Sequence, residues 1–224
     1  MPVFNVKDVQ TEYQSLSGKK MEYLENLQKV VVDSKDYLEG NSFYVHRTLN
    51  IYPELHNKQL NLFWCGKQGV TRMCEIGFNA GHSTMLMLLG RDSKPIEFTV
   101  FDIGEHPYTR PCLQYIKSKF QNVNFEYVEG DSTVTMPKWI EKHPQYVGSY
   151  DVVHVDGGHS EHCISNDLKN ANALVKVNGI VIVDDTNMPH INTYVDAYVS
   201  TGLYKELEVI QTTGYPHRIL QKIK

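Results

Sequence analysis

Cysteine is scarce in this 224-residue chain. The four that occur, Cys65, Cys74, Cys112 and Cys163, show no Cys-x-x-Cys spacing, so neither a zinc site nor a disulfide framework is expected. No apolar run approaches the ~20 residues that span a bilayer. The N-terminus also lacks the basic region and apolar core of a signal peptide. These absences predict a reduced, cytoplasmic protein with no membrane partner.

The charge is balanced and has no basic run. With 22 basic and 26 acidic residues, the net charge is −4. Nucleic acid is therefore not an expected partner. The hydrophobic content of 41% is enough for a packed core.

The chain divides into a helical cover segment, residues 1–69, and a domain over residues 70–224, which together form a single compact unit. Apolar residues recur at helical spacing from Met21 to Leu38 and predict an amphipathic helix that ends around Gly40. A second helix is predicted over residues 55–64. The aromatic stretch 41–69 is interpreted as a packing cover for the sheet, with a substrate lid as the alternative.

From residue 70, strands alternate with helices, which predicts a parallel sheet. The predicted strands cover residues 71–77, 97–103, 123–128, 150–156 and 179–184. The helices that follow them cover residues 83–89, 111–120, 134–142, 163–175 and 191–200. Two final strands, 206–211 and 217–223, have no room for a helix between them and predict a hairpin that adds an antiparallel strand.

The first turn of this alternation carries an acidic residue and two glycines four apart: Glu75, Gly77 and Gly81. Glycine permits a positive φ and a close approach of the backbone to a ligand, so the turn predicts a nucleotide-like ligand. The pattern is Gly-x-x-x-Gly rather than Gly-x-Gly-x-x-Gly, which disfavours an NAD-dependent dehydrogenase.

Acidic residues also follow the later strands, at the sheet edge where parallel folds bind ligands. Asp102 closes the second strand and is predicted to bind ribose hydroxyls, with a helix cap or turn role as the alternative. Asp131 follows the third strand and is placed to contact an adenine amine, or else it caps the next helix.

The fourth and fifth strands end in Asp156 and in Asp184-Asp185, and His159 follows Asp156 by three positions. Because adjacent strands lie about 4.8 Å apart, these carboxylates are predicted to converge on a magnesium-class cation. His159 would then take a proton from a hydroxyl that the metal polarises. In the alternative, the acidic pair caps the following helix and His159 bonds locally.

These motifs together resemble class I S-adenosylmethionine-dependent methyltransferases over about residues 55–223. Within that class, the chain is similar to catechol O-methyltransferase-like enzymes and to the macrolide and cephalosporin tailoring methyltransferases. The resemblance implies an α/β fold: a Rossmann-like, seven-stranded, mostly parallel sheet with an antiparallel last strand that is inserted into the sheet. It also implies helices on both faces and, before them, the N-terminal helical extension.

The resemblance also implies roles for individual residues. Glu75, Gly77 and Gly81 would line the methionine end of the cofactor. Asn79 and Asp156 would also bind the cofactor. Ser83 would hold the cofactor carboxylate, Asp102 the ribose, and Asp131 with Ser132 the adenine. The implied magnesium ligands are Asp156, Asp184 and Asp185, and the implied base is His159. The run Asp-Asp-Thr-Asn and the lack of a lysine beside Asp156 depart from the catechol-type pattern.

The implied function is magnesium-dependent O-methylation of a hydroxylated small molecule. Two alternatives stay open: a metal-independent methyltransferase acting on nitrogen, protein or RNA, and a non-catalytic cofactor-binding or scaffold protein. The N-terminal segment is compatible with a cover over the acceptor and with the interface of a homo-oligomer.

Overall fold

The computed structural model describes residues 4–44, 49–212 and 215–224. One mixed sheet contains seven strands: β1 (Arg72–Ile76), β2 (Ile96–Asp102), β3 (Val123–Glu129), β4 (Tyr150–Val155), β5 (Val175–Val183), β6 (Tyr204–Glu206) and β7 (Arg218–Lys222). The strand order is β3-β2-β1-β4-β5-β7-β6. Strand β7 is antiparallel to both β5 and β6, whereas the other pairings are parallel. The predicted seven-stranded sheet with an inserted antiparallel strand is confirmed.

Helices cover both faces of this sheet. The described helices are α1 (Val6–Ser15), α2 (Ser17–Ser34), α3 (His56–Gly66), α4 (His82–Leu89), α5 (Thr109–Lys119), α6 (Ser132–Lys142), α7 (Glu161–Leu174) and α8 (Pro189–Ser200). Successive strand residues point to opposite faces. In β5, Ile180 and Ile182 therefore join the core under α1–α5, while Val181 and Val183 join the core under α6–α8.

The N-terminal segment contains two consecutive helices before α3, where the sequence predicted one. Helix α2 ends at Ser34 rather than near Gly40, because Lys35 takes a left-handed φ of 58°. Its N–H donates to Val32 O at 3.1 Å and closes the helix. Buried Leu24 and Leu27 pack the inner face of α2 into the first core.

The predicted sixth strand, 206–211, was wrong in position. Strand β6 is Tyr204–Glu206, and the chain beyond Leu207 leaves the sheet. The amide group of Asn61 on α3 explains this change, since it accepts a bond from Ile210 N at 3.2 Å and donates one to Ile210 O at 2.8 Å. A side chain thus satisfies backbone groups that a strand would otherwise pair.

The predicted second helix is confirmed as α3, which follows a short 3-10 turn, Pro53–Leu55. Its last residue, Gly66, packs directly against the α4 backbone, where a Cβ would lie 1.9 Å from Met87 O. Helix α3 therefore seats the N-terminal segment on the sheet domain. The division into residues 1–69 and 70–224 stays a prediction. Within the described ranges, no helix is both long and apolar enough to cross a bilayer.

Candidate active site

The turn between β1 and α4 lies against the end of β4. Gly77 has a φ of +85°, and a Cβ on it would lie 1.9 Å from Asp156 O. Backbone bonds fix the contact, because Gly77 N donates to Phe101 O at 2.8 Å and Asp156 N donates to Ile76 O at 2.9 Å. The turn predicted to hold the cofactor is thus in direct contact with the end of β4, where the first metal ligand, Asp156, is predicted.

Asp102 organises this turn. Its Oδ2 accepts from the N–H groups of Phe78 and Asn79, each at 2.8 Å, and its Oδ1 accepts from Gly104 N at 2.7 Å. The turn role that the sequence left as an alternative is therefore present. The ribose contact stays a prediction, and it would use the remaining acceptor capacity of the same carboxylate.

Asn79 and Gly81 give the turn its shape. Asn79 has a φ of +52°, a conformation uncommon outside glycine. Its Oδ1 accepts from the hydroxyl of Tyr108 at 2.7 Å, and its Nδ2 donates to Gly40 O at 3.2 Å. Gly81 has a φ of +79° and immediately precedes α4. Both residues lie where the sequence placed the cofactor, and their contact with it stays a prediction.

Glu75 lies behind the turn and is fully buried. Its carboxylate accepts bonds from the hydroxyls of Ser83 (2.6 Å) and Thr84 and contacts His154 Nδ1 at 2.8 Å. The hydroxyl hydrogen of Ser83 is thus directed towards Glu75 rather than towards the turn. The cofactor roles of Glu75 and Ser83 stay predictions.

Asp131 and Ser132 begin α6. Asp131 Oδ1 accepts from Thr133 N at 2.8 Å and from the Thr133 hydroxyl at 2.7 Å, so it is the N-cap of the helix. The hydroxyl of Ser132 donates to Asp167 Oδ1 at 2.7 Å. Burial raises the pKa of Asp167 to about 6. The cap that the sequence offered as an alternative is present, and the adenine contacts stay predictions.

The carboxylates after β4 and β5 lie at one edge, as the sequence predicted from strand adjacency. Ligand atoms of Asp156, His159 and Asp185 lie within 4.8 Å of one another, as do those of His154, Asp156 and Asp184. Burial and the neighbouring charge of Asp184 raise the pKa of Asp156 well above its usual range. Asp184 itself is only 3% exposed.

His159 lies at the open side of this edge. Its Nε2 is 2.8 Å from Asp185 Oδ2, and its side chain is 52% exposed. The hydrogen bond with Asp185 raises the pKa of His159 above its ordinary value. The backbone O of His159 accepts from His190 Nε2 at 2.6 Å, which ties the loop to α8. The imidazole is held at one nitrogen while much of its ring stays accessible.

A buried lysine faces the same edge, and sequence reasoning missed it. Lys58 Nζ lies 2.7 Å from Asp184 Oδ1 and 2.5 Å from Oδ2. Burial alone would lower the pKa of Lys58, but the negative charges of Asp184 and Asp156 outweigh burial and raise it. Because 126 positions separate Lys58 from Asp184, no local pattern links them. The available signal is one lysine within the predicted helix 55–64, whose second half is mostly apolar.

A second cation lies on the other side of Asp184. His154, fully buried in β4, has Nε2 3.8 Å from Asp184 Oδ2 and Nδ1 2.8 Å from Glu75 Oε1. Burial opposes its charge, but the carboxylates of Asp184 and Glu75 outweigh that effect and raise its pKa to about 10. Acidic and basic groups thus alternate from Glu75 through His154 and Asp184 to Lys58, which offsets the cost of burying each charge.

The donor set fits a hard divalent cation. Asp156 belongs to both groups, whereas Asp184 and Asp185 belong to different ones, and each group offers two carboxylates, whose oxygens are the ligands that magnesium prefers. The edge also fits a nucleoside. Ile103 directly follows Asp102 and is 58% exposed, so an apolar side chain is available beside the predicted ribose site.

The strand order is that of the class I S-adenosylmethionine-dependent methyltransferase fold, and the glycine turn lies against the end of β4 in that sheet. A family model described as a methyltransferase domain matches residues 74–186, just over half of the chain. The chain therefore belongs to the methyltransferase domain family. None of the curated proteins that were compared matches it in sequence.

Solved structures with the same fold are distant in sequence. Rv0187 from MTB, in a cofactor-bound form, is 15% identical with a TM-score of 0.64, covering 90% of this chain and 89% of its own. The O-methyltransferase from Bacillus cereus in complex with SAH is 15% identical with a TM-score of 0.62, covering 91% of each chain. The O-methyltransferase TomG from Streptomyces achromogenes, involved in tomaymycin synthesis and solved with SAM, is 13% identical with a TM-score of 0.58. That match covers 74% of this chain and 79% of TomG. These likenesses show the fold.

Proposed function

We propose that this methyltransferase transfers a methyl group to a hydroxyl of a small molecule, that magnesium assists the transfer, and that His159 is the general base. The supporting observation is the position of His159: its Nε2 is 2.8 Å from Asp185, beside Asp156, whose backbone contacts the cofactor turn at Gly77. The proposed base, the proposed metal ligands and the turn proposed for the cofactor therefore lie together at the carboxyl end of β4. Structures of O-methyltransferases with the same fold agree with an oxygen acceptor.

The cofactor would lie along the β1–α4 turn. Gly77, Asn79 and Gly81 would follow its methionine end, and Asp102 its ribose. Asp131 and Ser132, at the start of α6, would flank its adenine. When bound, S-adenosylmethionine supplies a methyl group on a positively charged sulfur. The turn would hold that group beside the β4 edge, and such positioning supplies much of the rate in group transfer.

The metal would be held by Asp156, Asp184 and Asp185. A divalent cation at this edge supplies positive charge that lowers the pKa of the acceptor hydroxyl. Through a cation that they hold, the three carboxylates would position the acceptor oxygen so that this oxygen faces the cofactor turn.

His159 would remove the acceptor proton. Its bond to Asp185 orients the imidazole, so that the other ring nitrogen is available to a proton on a bound acceptor. Its exposure leaves the ring accessible to a bound acceptor.

The N-terminal segment would cover the acceptor or form the interface of a homo-oligomer. A cytoplasmic location, argued from sparse, unpaired cysteines, also stays a prediction.

Transfer of a labelled methyl group to a panel of hydroxylated small molecules tests the proposal. The reaction should need magnesium and should stop with a chelator. His159→Ala should lower the transfer rate at least 100-fold without weakening S-adenosylhomocysteine binding. His162→Ala is the matched control, because it removes an exposed histidine three residues further along the chain. Equal rates for His159→Ala and wild type would contradict the role of His159.

A second candidate is methyl transfer without a metal, to nitrogen or to a protein or RNA acceptor. The Lys58–Asp184 ion pair favours it, since one carboxylate of the edge already has a cation at 2.5–2.7 Å. Transfer that persists in a chelator would select this candidate. S-adenosylhomocysteine binding without transfer to any acceptor class would instead favour a cofactor-binding or scaffold role.

A further inference from the structure

Lys58 reaches the acidic edge from outside the part of the chain that matches the family. The family match covers residues 74–186, whereas Lys58 lies on α3 in the N-terminal segment. Lys58 is 5% exposed and Asp184 is 3% exposed. A buried ammonium group in contact with both oxygens of a buried carboxylate forms an ion pair, and removing either partner leaves the other charge buried without compensation.

Helix α3 holds this ammonium group in place. Next to Lys58, Gln59 accepts from the Tyr13 hydroxyl at 2.7 Å and donates to Ser42 O at 2.9 Å. Three residues after Lys58, Asn61 forms hydrogen bonds with the backbone of Ile210. Both ends of this short stretch are therefore anchored, and the Lys58 side chain extends from a fixed backbone.

The three carboxylates of the edge are not equivalent. Asp184 contacts Lys58 and has His154 at 3.8 Å, whereas Asp185 contacts His159. Within ranges 4–44, 49–212 and 215–224, no cationic side chain forms an ion pair with Asp156. Among the described residues, a cation that binds at this edge displaces no ion-pair partner of Asp156, whereas Asp184 is already paired with Lys58.

On the basis of the proposed function, we infer that Lys58 is a positioning residue that competes with the divalent cation for Asp184. Its ammonium group holds Asp184 and repels a cation bound nearby, so it weakens the affinity of the edge for magnesium. The N-terminal segment thereby sets how strongly the site binds its metal.

Magnesium alone is the probe, with wild type, Lys58→Met and Lys58→Arg compared in the full chain. Thermal unfolding and calorimetric titration with MgCl₂ give the readouts. Lys58→Met should melt at a lower temperature without magnesium, because Asp184 loses its ion-pair partner. It should also bind magnesium at least tenfold more tightly than wild type and gain more in melting temperature from it. Lys58→Arg keeps the charge and should bind magnesium as wild type does.

Tyr150→Phe is the control for simple destabilisation, since it removes a buried 2.7 Å hydrogen bond to Thr99 at the other end of β4 without changing charge. It should lower the melting temperature and leave magnesium affinity unchanged. S-adenosylhomocysteine binding verifies that each variant is folded. If Lys58→Met does not fold, Lys58→Gln replaces it, because glutamine removes the charge and keeps a donor for Asp184.

Equal magnesium affinity in wild type and the neutral variants would overturn the inference and leave the proposed function standing. Magnesium binding by Lys58→Met but not by wild type would support the inference, while magnesium dependence of the wild-type enzyme would be refuted. No binding by any variant would overturn the inference, and the chelator test would then decide between the two candidate functions.

Discussion

Replacing Gly77 with alanine tests the contact that joins the cofactor turn to the acidic edge. At a φ of +85°, any L residue is strained by about 1–2 kcal/mol. The new Cβ would also lie 1.9 Å from Asp156 O, whereas ordinary contacts begin at 3.4 Å. The obstacle is backbone, so no side-chain rotation relieves it. Forced displacement in a packed site adds about 1–3 kcal/mol, which gives a total loss of about 2–5 kcal/mol.

Gly148→Ala separates the two contributions. Gly148 has a similar φ of +64°, but a Cβ there would meet nothing within 4 Å. This control should lose only the conformational part, about 1–2 kcal/mol. Urea denaturation measures both variants, and calorimetric titration measures their S-adenosylhomocysteine affinity.

The two variants should also differ in binding. Gly77→Ala should bind S-adenosylhomocysteine at least tenfold more weakly than wild type, whereas Gly148→Ala should bind as wild type does. Equal losses of unfolding free energy in the two variants would refute the close approach of the turn to β4. Unchanged binding in Gly77→Ala would refute the cofactor role of the turn.

Two further predictions concern other carboxylates. Burial raises the pKa of Asp167 to about 6, above the value near 3.9 of an unfolded aspartate. The folded state therefore binds the proton more tightly, and its stability should fall by about 2–3 kcal/mol as the pH rises from below 4 through 6. Asp167→Asn should remove that part of the decline in urea denaturation series; an unchanged pH dependence would contradict the raised pKa. Asp102→Asn should lower stability by about 1–3 kcal/mol, because an amide cannot accept all three backbone N–H bonds in the same way. It should weaken S-adenosylhomocysteine binding too, and unchanged affinity would argue against a ribose contact.

The sheet and its ligand edge were predictable from sequence because both follow local patterns. Strands that alternate with helices specify a parallel sheet, and acidic residues at strand ends then meet at one edge. Asp156 comes within 4.8 Å of Asp184 and of Asp185 because β4 and β5 are adjacent, while their role as metal ligands stays a prediction. The antiparallel last strand was also expected, because the final two strands leave no room for a helix between them, whereas its insertion into the sheet was expected only from the family resemblance.

Two features that the sequence did not reveal, the early end of β6 and the ion pair of Lys58, depend on contacts between distant residues. Strand β6 ends early because Asn61, far away in sequence, bonds the backbone of Ile210. Lys58 likewise contacts Asp184 only because α3 packs against the sheet domain. The break at Lys35 is local, but lysine rarely takes a left-handed conformation, so the sequence gives no warning of it.

Calorimetric titration with S-adenosylhomocysteine, with and without magnesium, tests the central claim most directly when wild type is compared with Asp156→Ala. Both proteins should bind S-adenosylhomocysteine, because the backbone of Asp156 rather than its carboxylate contacts the cofactor turn, and the heat of magnesium binding should appear in wild type and vanish in the variant. Absence of S-adenosylhomocysteine binding to wild type would contradict the assignment of the β1–α4 turn as a cofactor site. A magnesium heat that persists in Asp156→Ala would contradict the assignment of the metal edge.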